Sequence, residues 1–191
     1  ENMKNLVQKL LFLAKGEISK INTNFQIIEM KEFIQQIYND TEVSTKTHKI
    51  YLERDDVYEI KADVTLLQQA IRALLENAMK YSEKGTNVYI KSAIIDGKNG
   101  EVSIRDEGVG ISEEDSRRIF DRFYRVDDSR TKATGGTGLG LAIVKRIVEL
   151  HKGEIKINSE LGKGTEISIV LPLVTQKTEI VPQRLRTNKK I

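Results

Sequence analysis

Pairs of strands, not single strands, separate the long helices of this chain, and that order narrows the folds open to it. Apolar residues recur at helical spacing over 3–14 (Met3, Leu6, Val7, Leu10, Leu11, Leu13, Ala14) and over 30–45 (Met30, Phe33, Ile34, Ile37, Tyr38). Two further helices are expected over 64–81 and 137–150, and a short one near 112–120. Alternating runs over 49–53 and 57–60, 88–94 and 101–105, and 154–158 and 165–170 read as strands. Asp55-Asp56, residues 96–100 and Gly162-Lys163-Gly164 read as the turns within each pair. A doubly wound parallel sheet places one strand between successive helices. Strand pairs predict an α+β fold instead: a two-layer α/β sandwich, its sheet mixed or antiparallel with helices on one face, plus an N-terminal helix. Residues 16–28, with Gly16, Ser19, Asn22, Thr23 and Asn24, read as a loop-like linker. Residues 175–191 carry Lys177, Arg184, Arg186, Lys189 and Lys190 with little apolar pattern, and read as a solvated basic tail. The expected organisation is a helix and linker over 1–22, one domain over 23–174, and the tail.

Composition enters mainly for what it removes. There is no Cys, which excludes disulfides, thiolate metal sites and cysteine catalysis. The two histidines, His48 and His151, have no metal-ligand spacing. Lys plus Arg number 31 against 28 Asp plus Glu, a net charge of +3, too mild a balance to point to nucleic acid. No apolar run approaches the roughly 20 residues that span a bilayer. The chain starts inside a helical pattern, which points to a longer parent.

Three stretches carry candidate chemistry. The helix over 64–81 has Asp63 as its N-cap and an apolar side of Leu67, Ala70, Ile71, Leu74, Leu75 and Ala78. Near its end, Asn77, Lys80 and Tyr81 stand three and four positions apart, so an amide, a cation and an aromatic ring share one face. Asp106-Glu107-Gly108-Val109-Gly110-Ile111 begins where a strand stops. A carboxylate there can accept from an exocyclic amino group, and Gly108 and Gly110 let backbone approach a flat ring. Adenine offers both features. Gly135-Gly136-Thr137-Gly138-Leu139-Gly140-Leu141 feeds a helix whose first N–H groups and positive dipole end suit phosphate. A Walker loop is excluded because no Lys-Ser/Thr follows the glycines. Between the two glycine stretches, Phe120 to Arg130 combines aromatics with Arg125 and Arg130, whose planar guanidinium groups suit polyphosphate oxygens.

Together these stretches resemble the motifs of bacterial sensor histidine kinases. Residues 76–82 resemble the N box, 106–111 the G1 box, 120–130 the F box and 136–140 the G2 box, in the family's order and spacing over roughly 30–173. The resemblance implies the Bergerat ATP-binding fold shared with gyrase B and heat-shock chaperones. It implies that Asn77 holds Mg²⁺ against the phosphates, that Lys80 meets phosphate oxygens and that Tyr81 packs near the nucleoside. Asp106 would take the adenine amino group, with Gly108, Gly110 and Ile111 beside it and Thr165 beneath. Tyr124, Arg125 and Arg130 would form an ATP lid, and Gly136, Thr137, Gly138, Leu139, Gly140 and Leu141 would cradle phosphate. Glu76 is the position of a base in the family's ATPase relatives. Two departures stand out: Ala73 occupies the position of a frequent second metal-binding Asn, and the phospho-accepting His, which lies in a first hairpin helix, is not in this chain. Residues 1–20 resemble the second helix of the dimerisation and phosphotransfer hairpin. The implied parent is a homodimeric kinase of the bacterial cell membrane with this domain in the cytoplasm, its own hairpin and a response regulator as partners, and no nucleic acid. The alternatives are a self-contained ATPase or switch of the same fold, an interaction module that has lost ATP, and an anti-sigma-factor serine kinase.

Overall fold

The structure, a computed structural model, describes residues 3–14, 22–126 and 137–174. In chain order it contains α1 (Met3–Ala14), β1 (Phe25–Glu29), α2 (Met30–Ser44), β2 (Lys49–Asp55), β3 (Glu59–Asp63) and α3 (Val64–Tyr81). These are followed by β4 (Asn87–Ile94), β5 (Asn99–Asp106), the short α4 (Glu113–Ser116), α5 (Gly140–Leu150), β6 (Glu154–Glu160) and β7 (Gly164–Pro172). The main sheet runs β2-β4-β5-β7-β6. Its β2–β4 pair is parallel and the other three are antiparallel, so the sheet is mixed, as expected.

The pairing differs from expectation at one end. β2 and β3 do not form a hairpin. β3 pairs with β1 in a separate two-stranded sheet, so residues 25–28 are strand and not linker. The chain leaves β2, passes through β3 and α3, and returns as β4 parallel to β2, because only a long crossover can join parallel neighbours. Two helix boundaries also move. α4 covers four residues; beyond it the N–H groups of Arg118 and Ile119 both close on the Asp115 carbonyl as a turn. α5 begins at Gly140 and not at 137, because Gly138 sits at φ +68°, which a helix cannot contain.

α2, α3 and α5 cover one face of the sheet. Leu67, Ile71, Leu74 and Leu75 of α3 and Ile143 and Ile147 of α5 meet Val88, Ile90, Val102, Ile104 and Ile169 in one buried cluster. Each such side chain contributes roughly 1.5–3 kcal/mol by burial. α1 lies against α5, with Leu13 buried and Leu6, Leu10 and Phe12 turned to the core, while Met3, Val7 and Leu11 are exposed. The helix is thus docked on its own domain while leaving three apolar side chains open to solvent.

Both histidines are structural. The His48 ring bridges Thr47 Oγ1 (2.9 Å) and Ser82 Oγ (3.1 Å). His151 is buried; its Nδ1 donates to the Ile147 carbonyl (2.7 Å) and its Nε2 accepts from the Asp63 amide (3.0 Å). Asp63 in turn caps α3 through the Leu66 amide and holds the Asn24 amide at the start of β1. His151 thus fastens the end of α5 to the start of α3. His151→Leu leaves a buried amide without an acceptor and is expected to cost about 2 kcal/mol, read as a lower midpoint in urea. An unchanged midpoint would count against this fastening role.

Candidate nucleotide site

A cavity of about 260 Å³ opens between the end of α3 and the ends of β5 and β7. Asp106 stands in it at the last position of β5, Asn77 and Tyr81 reach it from α3, and Thr165 from β7. Gly110, Ile111, Tyr124, Arg125 and Leu141 complete the set that sequence had singled out. The rest of the wall is apolar: Leu74, Ala78, Ile104, Val109, Ile119, Val126, Leu161 and Ile167. A slot with apolar walls and few polar groups suits a flat aromatic ligand with one polar edge.

Asp106 supplies that edge. The Gly108 amide donates to its Oδ1 at 2.8 Å, and the Thr165 amide also donates to the carboxylate. Burial nevertheless pushes its pKa above the ordinary carboxylate value, and the two amides only offset part of the effect. A carboxylate kept in a largely apolar cavity at this expense is a functional-site signal.

The glycines after Asp106 have a different reason from the one expected. A Cβ on Gly108 would lie 2.3 Å from the Tyr81 carbonyl oxygen and 2.6 Å from Asp106 Oδ1, and one on Gly110 would strike the Glu160 carbonyl. Their missing side chains make room for the protein's own backbone. Val109 N–H then reaches the Tyr81 carbonyl, which seats the loop on the end of α3.

Lys80 and Arg125 lie close enough to affect one another. Partial burial and the neighbouring Arg125 guanidinium lower the pKa of Lys80, whose ammonium stands 5.2 Å from the Tyr81 ring centre. α5 has no side-chain cap at its N-terminus, whereas α2 and α3 are capped by Glu29 and Asp63. Among the described residues, no side chain is recorded as capping its first N–H groups, an arrangement suited to phosphate.

Phe123 and Tyr124 are both held in place. The Tyr124 hydroxyl donates to Asp115 Oδ1 (2.6 Å), and the Arg118 guanidinium stacks 4.3 Å over its ring. Phe123 and Gly138 both have left-handed backbone, and the Phe123 amide donates to the Gly138 carbonyl (3.0 Å). A Cβ on Gly138 would lie 2.8 Å from the Phe123 carbonyl carbon, so only glycine allows this junction.

Not every expected residue lines the cavity. Lys80, Gly108, Thr137, Gly138, Leu139 and Gly140 do not, and Leu139 is wholly buried in the core. Glu76 is exposed on α3, away from the lining. Arg130 and Gly136 lie outside the described residues. Among those residues, no cluster of three His, Asp or Glu could hold a metal.

A family model described as histidine kinase-, DNA gyrase B- and HSP90-like ATPase matches residues 62–175. The chain belongs to this family. It is 38% identical over 180 residues to the sensor histidine kinase WalK of Bacillus subtilis, covering 90% of this chain and 29% of WalK. It is 37% identical over 172 residues to the signal transduction histidine-protein kinase ArlS of Staphylococcus aureus, covering 86% of this chain and 37% of ArlS. The chain thus spans about a third of the length of these relatives. Among solved structures, the mycobacterial sensor histidine kinase MprB matches with TM-score 0.68 and 28% identity, covering 78% of this chain and 98% of that one. Full-length ShkA in complex with AMPPNP matches with TM-score 0.75 and 26% identity, covering 89% and 35%.

Proposed function

We propose that this domain binds Mg·ATP, adenine against Asp106 and phosphates toward Lys80, Arg125 and the start of α5, and serves as the catalytic domain of a sensor histidine kinase. The observation that carries the reading is the buried Asp106 carboxylate at the edge of an apolar slot that Asn77, Tyr81 and Arg125 also line. The AMPPNP held by ShkA, a structural relative, supports it. In the parent protein the γ-phosphoryl passes to a histidine of its own dimerisation hairpin, of which α1 is the second helix, and then to an aspartate of a response regulator. The parent is a homodimer of the bacterial cell membrane with this domain on the cytoplasmic side. Among the described residues, no helix is long and apolar enough to cross a membrane.

The residues present fit a magnesium site of modest protein content. Asn77 lines the cavity and its amide oxygen would be a hard ligand, and a nucleotide-borne Mg²⁺ takes most of its other oxygens from phosphate and water. Ala73, where the family often has a second Asn, adds none. When bound, the ion would neutralise charge on the polyphosphate. The chain's own residues position and desolvate: Asp106 and the apolar walls fix the base, and Lys80 and Arg125 orient the phosphates. Glu76 stands outside the slot, so no water-activating role is assigned to it. His48 and His151 use both ring nitrogens inside the fold, so the acceptor lies elsewhere. Given γ-labelled ATP, the chain is expected to stay unlabelled yet to label an added hairpin that carries an acceptor histidine. Label on the chain itself would contradict the assignment of the acceptor.

A further inference from the structure

Ser159, on β6 and outside every motif, makes three hydrogen-bond contacts with one hydroxyl. The Ile111 amide donates to its Oγ at 2.8 Å, the Gly164 carbonyl lies at 2.9 Å, and Thr165 Oγ1 at 2.8 Å. An amide only donates and a carbonyl only accepts, and the serine has one hydrogen. One arrangement satisfies all three contacts: Ser159 donates to Gly164, accepts from Ile111, and accepts the Thr165 hydroxyl hydrogen. In a partly buried network a lost bond has a cost, which favours this polarity.

We infer that Ser159 sets the base selectivity of the cavity by occupying the Thr165 hydroxyl hydrogen. Thr165 lines the cavity, and its own amide donates to the Asp106 carboxylate. With the hydroxyl hydrogen turned to Ser159, Asp106 and Thr165 together present acceptors only. A 6-amino purine brings a donor to that floor. A 6-keto purine brings a carbonyl oxygen and is repelled. A freely turning Thr165 hydroxyl would donate to that oxygen and relieve the repulsion; Ser159 prevents it. Ser159 is thus a positioning residue, and its role rests on the adenine-nucleotide reading.

The test compares ATP with ITP, which carry the same triphosphate and differ in the 6-substituent and in the hydrogen that ITP carries on N1. Both are titrated calorimetrically with Mg²⁺ at pH 8 into the wild type, Ser159→Ala, Ser159→Thr and Thr165→Val. The preference for ATP is expected to fall about fivefold in Ser159→Ala, the size of one modest hydrogen bond, mainly through tighter ITP binding. Ser159→Thr restores it. Thr165→Val, which removes the acceptor and reads the same device if Ser159→Ala does not fold, lowers it too. Equal losses for both nucleotides, or an unchanged preference in Thr165→Val, overturn the inference and leave Ser159 a brace between loop and hairpin. A wild type that binds neither nucleotide overturns the adenine-nucleotide reading itself, and this inference with it.

Discussion

Asp106→Asn is expected to weaken adenine-nucleotide binding by roughly a hundredfold while making the nucleotide-free domain more stable. The two effects come from one cause. The carboxylate is largely removed from water, and that burial is the leading influence on its pKa. Its folded pKa lies above its unfolded value, so between the two the folded state holds more proton. Stability therefore falls as pH rises through that window, and above it the ionised group weakens the fold. Asparagine is neutral throughout. The variant's melting temperature should exceed the wild type's by roughly 2–5 °C at pH 8. The gap should close as pH falls through the raised folded value, where the wild type takes up its proton. For binding, asparagine replaces a charged acceptor with a group that can point a donor at the ligand's amino donor. Titration with ADP, beside thermal melts at pH 8 and pH 5.5, reads both effects. A variant less stable than the wild type at pH 8 would mean that the Gly108 and Thr165 amides outweigh burial.

How far the sequence revealed this arrangement depended on whether the partners of each residue were local. α3 was legible because everything that defines it lies within it or beside it: Asp63 caps the Leu66 amide, and Leu67, Ile71, Leu74 and Leu75 repeat at helical spacing. β1 was not, because its partners lie beyond α2 and β2 at residues 59–63, and its Ile27 faces solvent. Asp55-Asp56 looked like a hairpin turn for the same reason, since the true neighbour of β2 is the parallel β4. In the site, Asp106 was legible as a carboxylate at a strand end and Asn77 as a polar residue near a helix end, whereas Thr165 came only from the family resemblance. The apolar walls were not: Ile104 and Ile167, facing a cavity, carry the same alternation as strand residues facing a packed core. Ser159 had no signal at all, because its role exists only where the loop after β5 meets the β6–β7 hairpin.

The two glycine motifs looked alike in sequence and are expected to respond in opposite ways to the same substitution. Gly108→Ala places a methyl 2.3 Å from the Tyr81 carbonyl and 2.6 Å from Asp106 Oδ1. The first neighbour is backbone at the end of α3, held by the Val109 amide, and cannot move cheaply. The expected cost is about 2–3 kcal/mol of stability, with nucleotide affinity lost alongside because Asp106 is displaced. Gly140→Ala meets no atom within 4 Å and lies in the first turn of α5, without left-handed backbone. Alanine there should raise stability by about 0.5 kcal/mol, since it restricts the unfolded chain and favours helix. The fold alone therefore gives no reason for glycine at 140. If its bare Cα is kept for phosphate to approach the helix start, Gly140→Ala should weaken ATP about tenfold and leave adenosine unchanged. An equal effect on both ligands, or none on either, would remove Gly140 from the phosphate cradle. Urea midpoints for both variants, with calorimetry for ATP and adenosine, separate a glycine held by the fold from one held by the ligand.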